Sequence, residues 1–340
     1  MPSSKYFDTA SEMWYMVKID YDAHQEQYEP NELLHYAELA EAAGFDMIWT
    51  SDHFHPWFHS QGSSGFAWSW LGALCERVDL PMGTCVTPTT GHYHPGIVAQ
   101  AFATLQVMHD ERVVLGVSTG EAMNEKPLGF PWPDYPERRQ RLKESLEICH
   151  LLWESDDFVD YDGEFYRLDG AKLYTKPETP PEVHVAANGP STASLAGEYC
   201  DGFITVLKDE EYTDKLYPAV RRHATEADRN PDAVETTLLV TASYDEDYER
   251  AYEATKPWWA ATQDVFSRGL YNPKEIEAVG DDATREEVEH KFLIADDPAE
   301  IAAQLEEYAE LGFDRITLGN TSPEPEKFFE IMGDEVIPSL

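Results

Sequence analysis

The chain has 340 residues, 42% of them hydrophobic, which is enough for one large domain or two ordinary ones with a sizeable core. Its 65 acidic residues face 25 basic ones, and the formal net charge of −40 sets up a field that repels nucleic acid and anionic membranes. No apolar run approaches the roughly 18 residues that span a bilayer. The start, MPSSKYFDTASEMW, lacks the charged and apolar regions of a signal peptide, and Cys75, Cys85, Cys149 and Cys200 are dispersed as in a reduced, cytoplasmic enzyme.

The acids are spread along the whole chain and are accompanied by 18 tyrosines, 15 phenylalanines and 9 tryptophans. A disordered acidic polymer lacks such residues. The composition points to a folded protein with an acidic surface suited to molar salt, where the Debye length is about 3 Å and self-repulsion is screened. A surface that meets a basic partner is the alternative.

In chain order, a strand is expected over 13–19, then HQEQYEP, then an amphipathic helix over 31–44 with Asn31 as N-cap and Gly44 as its stop. A strand over 46–53 runs into TSDHFHPWFHS (50–60), which holds three histidines, an aspartate and a tryptophan. Strands over 80–86 and 112–120 flank the helical PGIVAQAFATLQVMH, and the second of them carries GVSTGEAMNE (116–125). After the helical ERRQRLKESLEICHLLWE, residues 155–176 alternate as an antiparallel hairpin around Asp162 and Gly163. Strands over 182–188, 202–207 and 236–244 follow, the first leading into AANGPSTAS (186–194). Residues 253–292 read as a helical insertion holding Trp258, Trp259 and Arg268, ahead of the helical PAEIAAQLEEYAELGF and a last strand over 315–320.

Strands that alternate with helices imply a parallel sheet, and eight such units imply an α/β fold of the (β/α)8 TIM-barrel type with insertions. No long or low-complexity linker interrupts it, so residues 1–340 read as a single domain. In a barrel the chemistry sits where strands end. Asp52, His53 and Trp57 follow the second strand, Cys85 and Val86 end the third, and Gly120 and Glu121 end the fourth. Asn188 and Gly189 end the fifth, and Lys208 follows the sixth.

His53, His55, His59, His92 and His94 lack the short recurring spacing of a zinc site, and His53 and His55 point to opposite sides of an extended segment, so no metal is expected. His53 is the functional candidate because it stands at a strand end beside Asp52 and near Trp57. His55, His59 and His92 are read as structural. Glu121, in a dry cleft, would have a raised pKa and carry a proton at neutral pH, or it would cap the next helix. Gly189, Ser191 and Thr192 ahead of a helix suit a phosphate, or an ordinary N-cap.

SDHFHPW, GTCVTPTTGHYHP, AQAFATL, LGVSTGEAMNE, YDGEFYRLDGA and AANGPSTASLAGEYCDGFI together resemble the coenzyme F420-dependent dehydrogenases of the luciferase-like superfamily, in particular those that oxidise glucose 6-phosphate. The resemblance covers roughly residues 15 to 320. It implies a homodimer whose 8-hydroxy-5-deazaflavin lies in the barrel mouth and accepts a hydride at C5. It further implies His53 as the base for the substrate hydroxyl, Trp57 as a pocket wall that stabilises charge, Glu121 as a proton donor and Glu26 as another active-site carboxylate. Asp52 would orient His53 or hold the cofactor. Cys85–Val86, as a cis peptide, would hold the cofactor together with Gly120, Asn124, Asn188 and Gly189.

The sugar-phosphate enzymes of that family grip phosphate with two lysines and an arginine. Here Lys208 matches the first and Lys291 stands for the arginine, while the middle lysine falls near Ser267 with Arg268 beside it. Lysine lacks the bidentate fork of arginine. A secondary alcohol and a folate- or pterin-type carbon carrier are therefore substrate alternatives to a sugar phosphate. An FMN-dependent monooxygenase is the enzyme alternative, and a non-catalytic deazaflavin-binding protein is the alternative of another class.

Overall fold

The computed structural model describes residues 17–340. The N-terminal stretch read as lacking a signal peptide, and residues 13–16 of the first expected strand, lie outside the described residues. The first strand is Lys18–Ala23, and seven others follow at Ile48–Thr50, Met82–Thr84, Val113–Ser118, Glu182–Ala186, Gly202–Thr205, Glu235–Tyr244 and Arg315–Asn320. Each pairs in parallel with its successor, and the last pairs with the first (Asp20 opposite Thr317), so the sheet closes into the expected barrel. Two short strands were not anticipated. Thr87–Pro88 continues the ladder on the fourth barrel strand, and Leu293–Ala295 pairs with the end of the seventh.

The first helix, Pro30–Ala43, stops at Gly44, whose φ of 90° is left-handed and costs glycine little. Its N-cap is Glu29 and not the expected Asn31. Pro30 has no N–H to lose and a φ preset for helix, so the helix starts ahead of Asn31. Val159–Asp162 and Arg167–Ala171 form an antiparallel hairpin, with Asp162 opposite Arg167. Between the seventh and eighth barrel strands lie the helices Tyr248–Thr255, Pro273–Gly280 and Arg285–Lys291 and the 3-10 segment Lys256–Thr262.

Alternation sends Tyr21 outward, onto Phe45 and Phe329, while Asp20 and Asp22 point into the barrel. Trp49 fills the centre because Gly83 faces it: a Cβ at Gly83 would stand 3.0 Å from the indole and 2.7 Å from the Val114 carbonyl. The N-terminal end is plugged by charge. Arg315 donates to both oxygens of Asp20 at 2.6 and 2.7 Å, the Trp49 indole N–H donates to Asp20 at 3.0 Å, and Glu235 takes Arg315 and Lys18 at 3.3 and 3.0 Å.

Breaking one half of a buried pair strands the other charge. Arg315→Met is expected to cost about 3–5 kcal/mol in denaturant unfolding. The double change Asp20→Asn, Arg315→Met is expected to cost less than Arg315→Met alone. Equal or larger loss in the double variant would contradict the pairing.

Candidate functional site

The first, second and fourth strands end at one rim and deliver Glu26, His53 and Glu121 to a common point. His53 Nε2 lies 3.6 Å from Glu26 Oε1, and its Nδ1 lies 3.3 Å from Glu121 Oε2. The imidazole side chain is 8% exposed, Glu26 is 1% exposed, and Glu121 opens to solvent at 24%. Glu26 is anchored by Ser51 Oγ, which donates to Oε2 at 2.8 Å, while Oε1 has no hydrogen-bond partner. Trp57 closes the site, its ring 5.7 Å from that of His53 and 5.6 Å from Phe266 of the helical segment.

Asn124 fixes this arrangement. Its Oδ1 accepts the Phe54 N–H at 3.0 Å, which directs Nδ2 to Glu121 Oε2 at 3.1 Å and to His53 Nδ1 at 3.2 Å. Neutral imidazole can accept from Asn124 at Nδ1, whereas imidazolium presents an N–H to each carboxylate. Glu121 stands at the N-cap position of Ala122–Glu125, but its side chain makes no cap hydrogen bond, so the capping alternative does not describe it.

The electrostatics follow from burial. Desolvation alone would lower the His53 pKa, but Glu121, then Glu26 and Asp52, outweigh it and raise it above the ordinary value. Desolvation raises Glu121 against the opposing charge of His53. It also raises Asp52, although Thr87 and Tyr93 donate to that carboxylate at 2.8 and 3.3 Å. Burial, with Asp22, Glu121 and Asp20 nearby, holds the Cys85 thiol well above its usual range, so it is no thiolate nucleophile.

The Cys85–Val86 peptide is cis, and Gly120 turns with a φ of 73°. Asn188 accepts from Thr205 Oγ1 at 3.1 Å, and Gly189 precedes the helix Pro190–Tyr199 with nothing within 4 Å of where a Cβ would stand. Lys208 Nζ reaches the Lys291 carbonyl at 3.3 Å and the Tyr308 hydroxyl at 2.5 Å. Burial and the charge of Lys291 push the Lys208 pKa down to about 8. Neither lysine has a carboxylate within salt-bridge distance among the described residues. Arg268 is exposed and makes no hydrogen bond or ion pair with either of them.

His92 pairs with buried Glu125 at 3.1 Å, His94 accepts the Gly96 N–H as the cap of Pro95–Met108, and His55 lies against Phe54. Among the described residues no group of three His, Cys, Asp or Glu is placed to hold a metal ion, and no helix is long and apolar enough to cross a membrane. A cavity of about 1170 Å³ opens at the opposite end of the barrel, past Lys18, His184, Glu235 and Arg315. That end holds the structural ion pair and no strand terminus of the reactive kind.

Sequence reasoning missed Asp22, His24 and Trp258 as members of the rim. Asp22 and His24 form a buried acid–imidazole pair at 3.3 Å, and Trp258 stacks on His24 with ring centres 4.5 Å apart. The period-two spacing of Asp20, Asp22 and His24 was the available signal.

The sequence profile described as luciferase-like monooxygenase matches residues 12–315. An F420-dependent glucose-6-phosphate dehydrogenase of Microbacterium testaceum (strain StLB037) is 39% identical over 328 residues, covering 95% of this chain and 97% of that one. A protein of the same name from Beutenbergia cavernae is 40% identical, covering 96% and 98%. Among solved structures, an F420-dependent secondary alcohol dehydrogenase in complex with an F420-acetone adduct superposes with a TM-score of 0.91 at 36% identity, covering 95% and 98%. A coenzyme F420-dependent tetrahydromethanopterin reductase from Methanopyrus kandleri, at 22% identity and a TM-score of 0.79, shares the fold.

The raised His53 pKa is directly measurable. An NMR titration of its ring is expected to give a midpoint above the ordinary value of about 6.5, and Glu121→Gln, which removes the strongest of the raising charges, is expected to lower it. An unchanged or higher midpoint in Glu121→Gln contradicts this account.

Proposed function

The chain belongs to the luciferase-like monooxygenase family, with its F420-dependent dehydrogenases, and from that premise we propose that it is an F420-dependent oxidoreductase that takes a hydride from a hydroxyl-bearing carbon of a sugar phosphate such as glucose 6-phosphate. The observation that carries this reading is His53, buried at the barrel mouth between Glu26 and Glu121.

The mouth fits a deazaflavin. Gly189 leaves open space ahead of a helix N-terminus, Gly120 turns tightly beside Thr90, and Asp52 and Asn124 offer fixed polar groups. Asp52, Asn124, Asn188, Gly120, Gly189 and the Cys85–Val86 backbone would hold it. When bound, the deazaflavin supplies the hydride acceptor. His53 Nδ1 is engaged by Asn124 and Glu121, whereas Nε2 faces only Glu26 at 3.6 Å, too long for a hydrogen bond. The substrate hydroxyl then donates to Nε2, and neutral His53 takes its proton. The two carboxylates stabilise the resulting imidazolium. Glu121, raised by burial and the more exposed of the two carboxylates, is the group at the solvent side that can take up a proton and pass it on. Trp57 and Phe266 exclude water from this pocket.

Lys208 and Lys291 supply the phosphate grip. In a chain of net charge −40 two adjacent lysines without a carboxylate partner form a site for an anion. Arg268 is a third contact if the helical segment closes over the substrate. A secondary-alcohol reading is favoured by the F420-acetone structure and would leave these lysines without a role.

We further read the whole chain as one domain working in the cytoplasm as a homodimer. The exposed Ile97, Val107 and Met108 on helix Pro95–Met108 support an interface there. The acidic surface is read as an adaptation to molar salt.

His53→Ala is expected to lower kcat by about 100- to 10,000-fold while F420 affinity, read by equilibrium titration, is kept. Near-normal kcat would end the proposed base role. Lys208→Ala and Lys291→Ala are expected to raise KM for glucose 6-phosphate more than they lower kcat, by about 1.5–3 kcal/mol for each charged contact, and to leave isopropanol oxidation unchanged. Because Lys208 loses its charge above about 8, KM for the phosphate should climb through that pH in the wild type and not in Lys208→Ala. Efficient isopropanol oxidation without sugar-phosphate activity reassigns the substrate. Finally, the melting temperature should rise from dilute buffer into molar potassium chloride, and a flat or falling trend would contradict the salt adaptation.

A further inference from the structure

Unpartnered buried polar atoms crowd into one stretch of the rim. Asp22 Oδ1, His24 Nδ1, Gln25 Oε1, Glu26 Oε1 and Gln27 Oε1 all lack a hydrogen-bond partner. Gln25 and Gln27 spend their amide N–H groups on Thr50 and Tyr28, and the Gln27 oxygen lies beside His24 without closing a hydrogen bond. The Asp22 and Glu26 oxygens, in side chains 3% and 1% exposed, have no such explanation. A dry carboxylate oxygen that nothing satisfies calls for a donor. Their chemistry asks for O–H groups and rejects another anion.

His24 is built into place. Its Nε2 meets Asp22 Oδ2 at 3.3 Å, Trp258 covers one side of its ring, and Gly319 admits the imidazole, since a Cβ there would stand 2.4 Å from it. Asp22 lies on the interior file of the first strand, near Cys85, and therefore under the same mouth as His53. Trp258 also connects two parts of the rim. It packs on Phe58, next in chain to Trp57, and it joins the cluster of Tyr252, Val288 and Phe292, which adjoins Lys291. An aromatic wall thus runs from the unpartnered carboxylate to the lysine pair.

We propose that Asp22 and His24 form a hydroxyl subsite that binds the O–H next to the reacting carbon of a polyhydroxylated phosphate, setting it apart from a simple alcohol. This rests on the oxidoreductase reading for which hydroxyl reacts, but the subsite itself is a matter of binding. With one hydroxyl on His53 Nε2 and its neighbour on Asp22, the ligand is a vicinal diol with a phosphate at its far end.

The test compares glucose 6-phosphate with 2-deoxyglucose 6-phosphate in wild type, Asp22→Ala, His24→Ala and the conservative Asp22→Asn. It reads kcat/KM with F420, and independently the quenching of tryptophan fluorescence by each sugar. Sites built to hydrogen-bond a hydroxyl reject the analogue lacking it, so wild type should prefer the full sugar by about 100-fold or more. Asp22→Ala and His24→Ala should collapse that preference to near unity, chiefly through loss of the full sugar. Asp22→Asn, which keeps an acceptor oxygen, should retain part of it. A preference unchanged in both alanine variants overturns the subsite, as does absence of sugar binding by the wild type. Loss of F420 affinity with the sugar preference intact assigns the pair to the cofactor and overturns it too. If the wild type turns over no hydroxyl substrate yet binds the two sugars differently through Asp22, the oxidoreductase reading fails and the subsite stands.

Discussion

One imidazole suspended between two carboxylates organises this rim. His53 comes from the second strand, Glu26 from the first and Glu121 from the fourth, and the curved parallel sheet brings them within 3.3 to 3.6 Å of one ring. Each group alters the others. Removing water penalises the charges of His53 and Glu121, and the carboxylates restore to His53 more than burial takes away. Asn124 braces the pair, since its amide nitrogen lies 3.2 Å from Nδ1 and 3.1 Å from Glu121 Oε2 while its oxygen is held by the Phe54 N–H. The result is a base strengthened by its neighbours whose Nε2 meets only Glu26, at 3.6 Å.

The charge of −40 makes the remaining cations informative. Most bases of the described chain sit on an acid neighbour, such as Lys18 on Glu235 or Arg285 on Glu249. Arg315 goes to the plug at the N-terminal end, where it neutralises Asp20. Lys208 instead donates to the Lys291 carbonyl and the Tyr308 hydroxyl, and burial with repulsion from Lys291 lowers its pKa. Two lysines with no carboxylate partner among the described residues, and the unpartnered carboxylate oxygens of Asp22 and Glu26, are complementary to a ligand that is anionic at one end and hydroxylated at the other.

The eight strands were legible because each apolar run is bounded by polar or glycine punctuation, and residues 315–320 match the observed strand at both ends. The barrel then made strand ends meaningful, which is why His53, Asp52 and Glu121 could be found. The first strand was misplaced. Its expected range stopped at residue 19, whereas the ladder continues to Ala23. Asp20 and Asp22 break the apolar pattern, and they are tolerated inside because Arg315, 295 residues along the chain, faces one and His24, two residues on, faces the other. The same error hid Asp22 and His24. The strand at Leu293–Ala295 is three residues long and pairs beyond the end of the barrel ladder, and three residues carry too little periodicity to read. Lys291 was named by resemblance alone, since its contact with Lys208 depends on the path of the helical segment.

The central claim is that His53 takes the hydroxyl proton as the hydride leaves the same carbon. The most direct measurement is the primary isotope effect on kcat/KM for glucose 6-phosphate deuterated at its reacting carbon, taken in light and in heavy water. The account predicts a normal effect of carbon deuteration that persists in heavy water together with a normal solvent effect, because both bonds break in one step. In His53→Ala the solvent effect should disappear or change while the carbon effect remains. Absence of any carbon-deuterium effect in the wild type across the pH range in which turnover is measurable, or a solvent effect identical in wild type and His53→Ala, would contradict it.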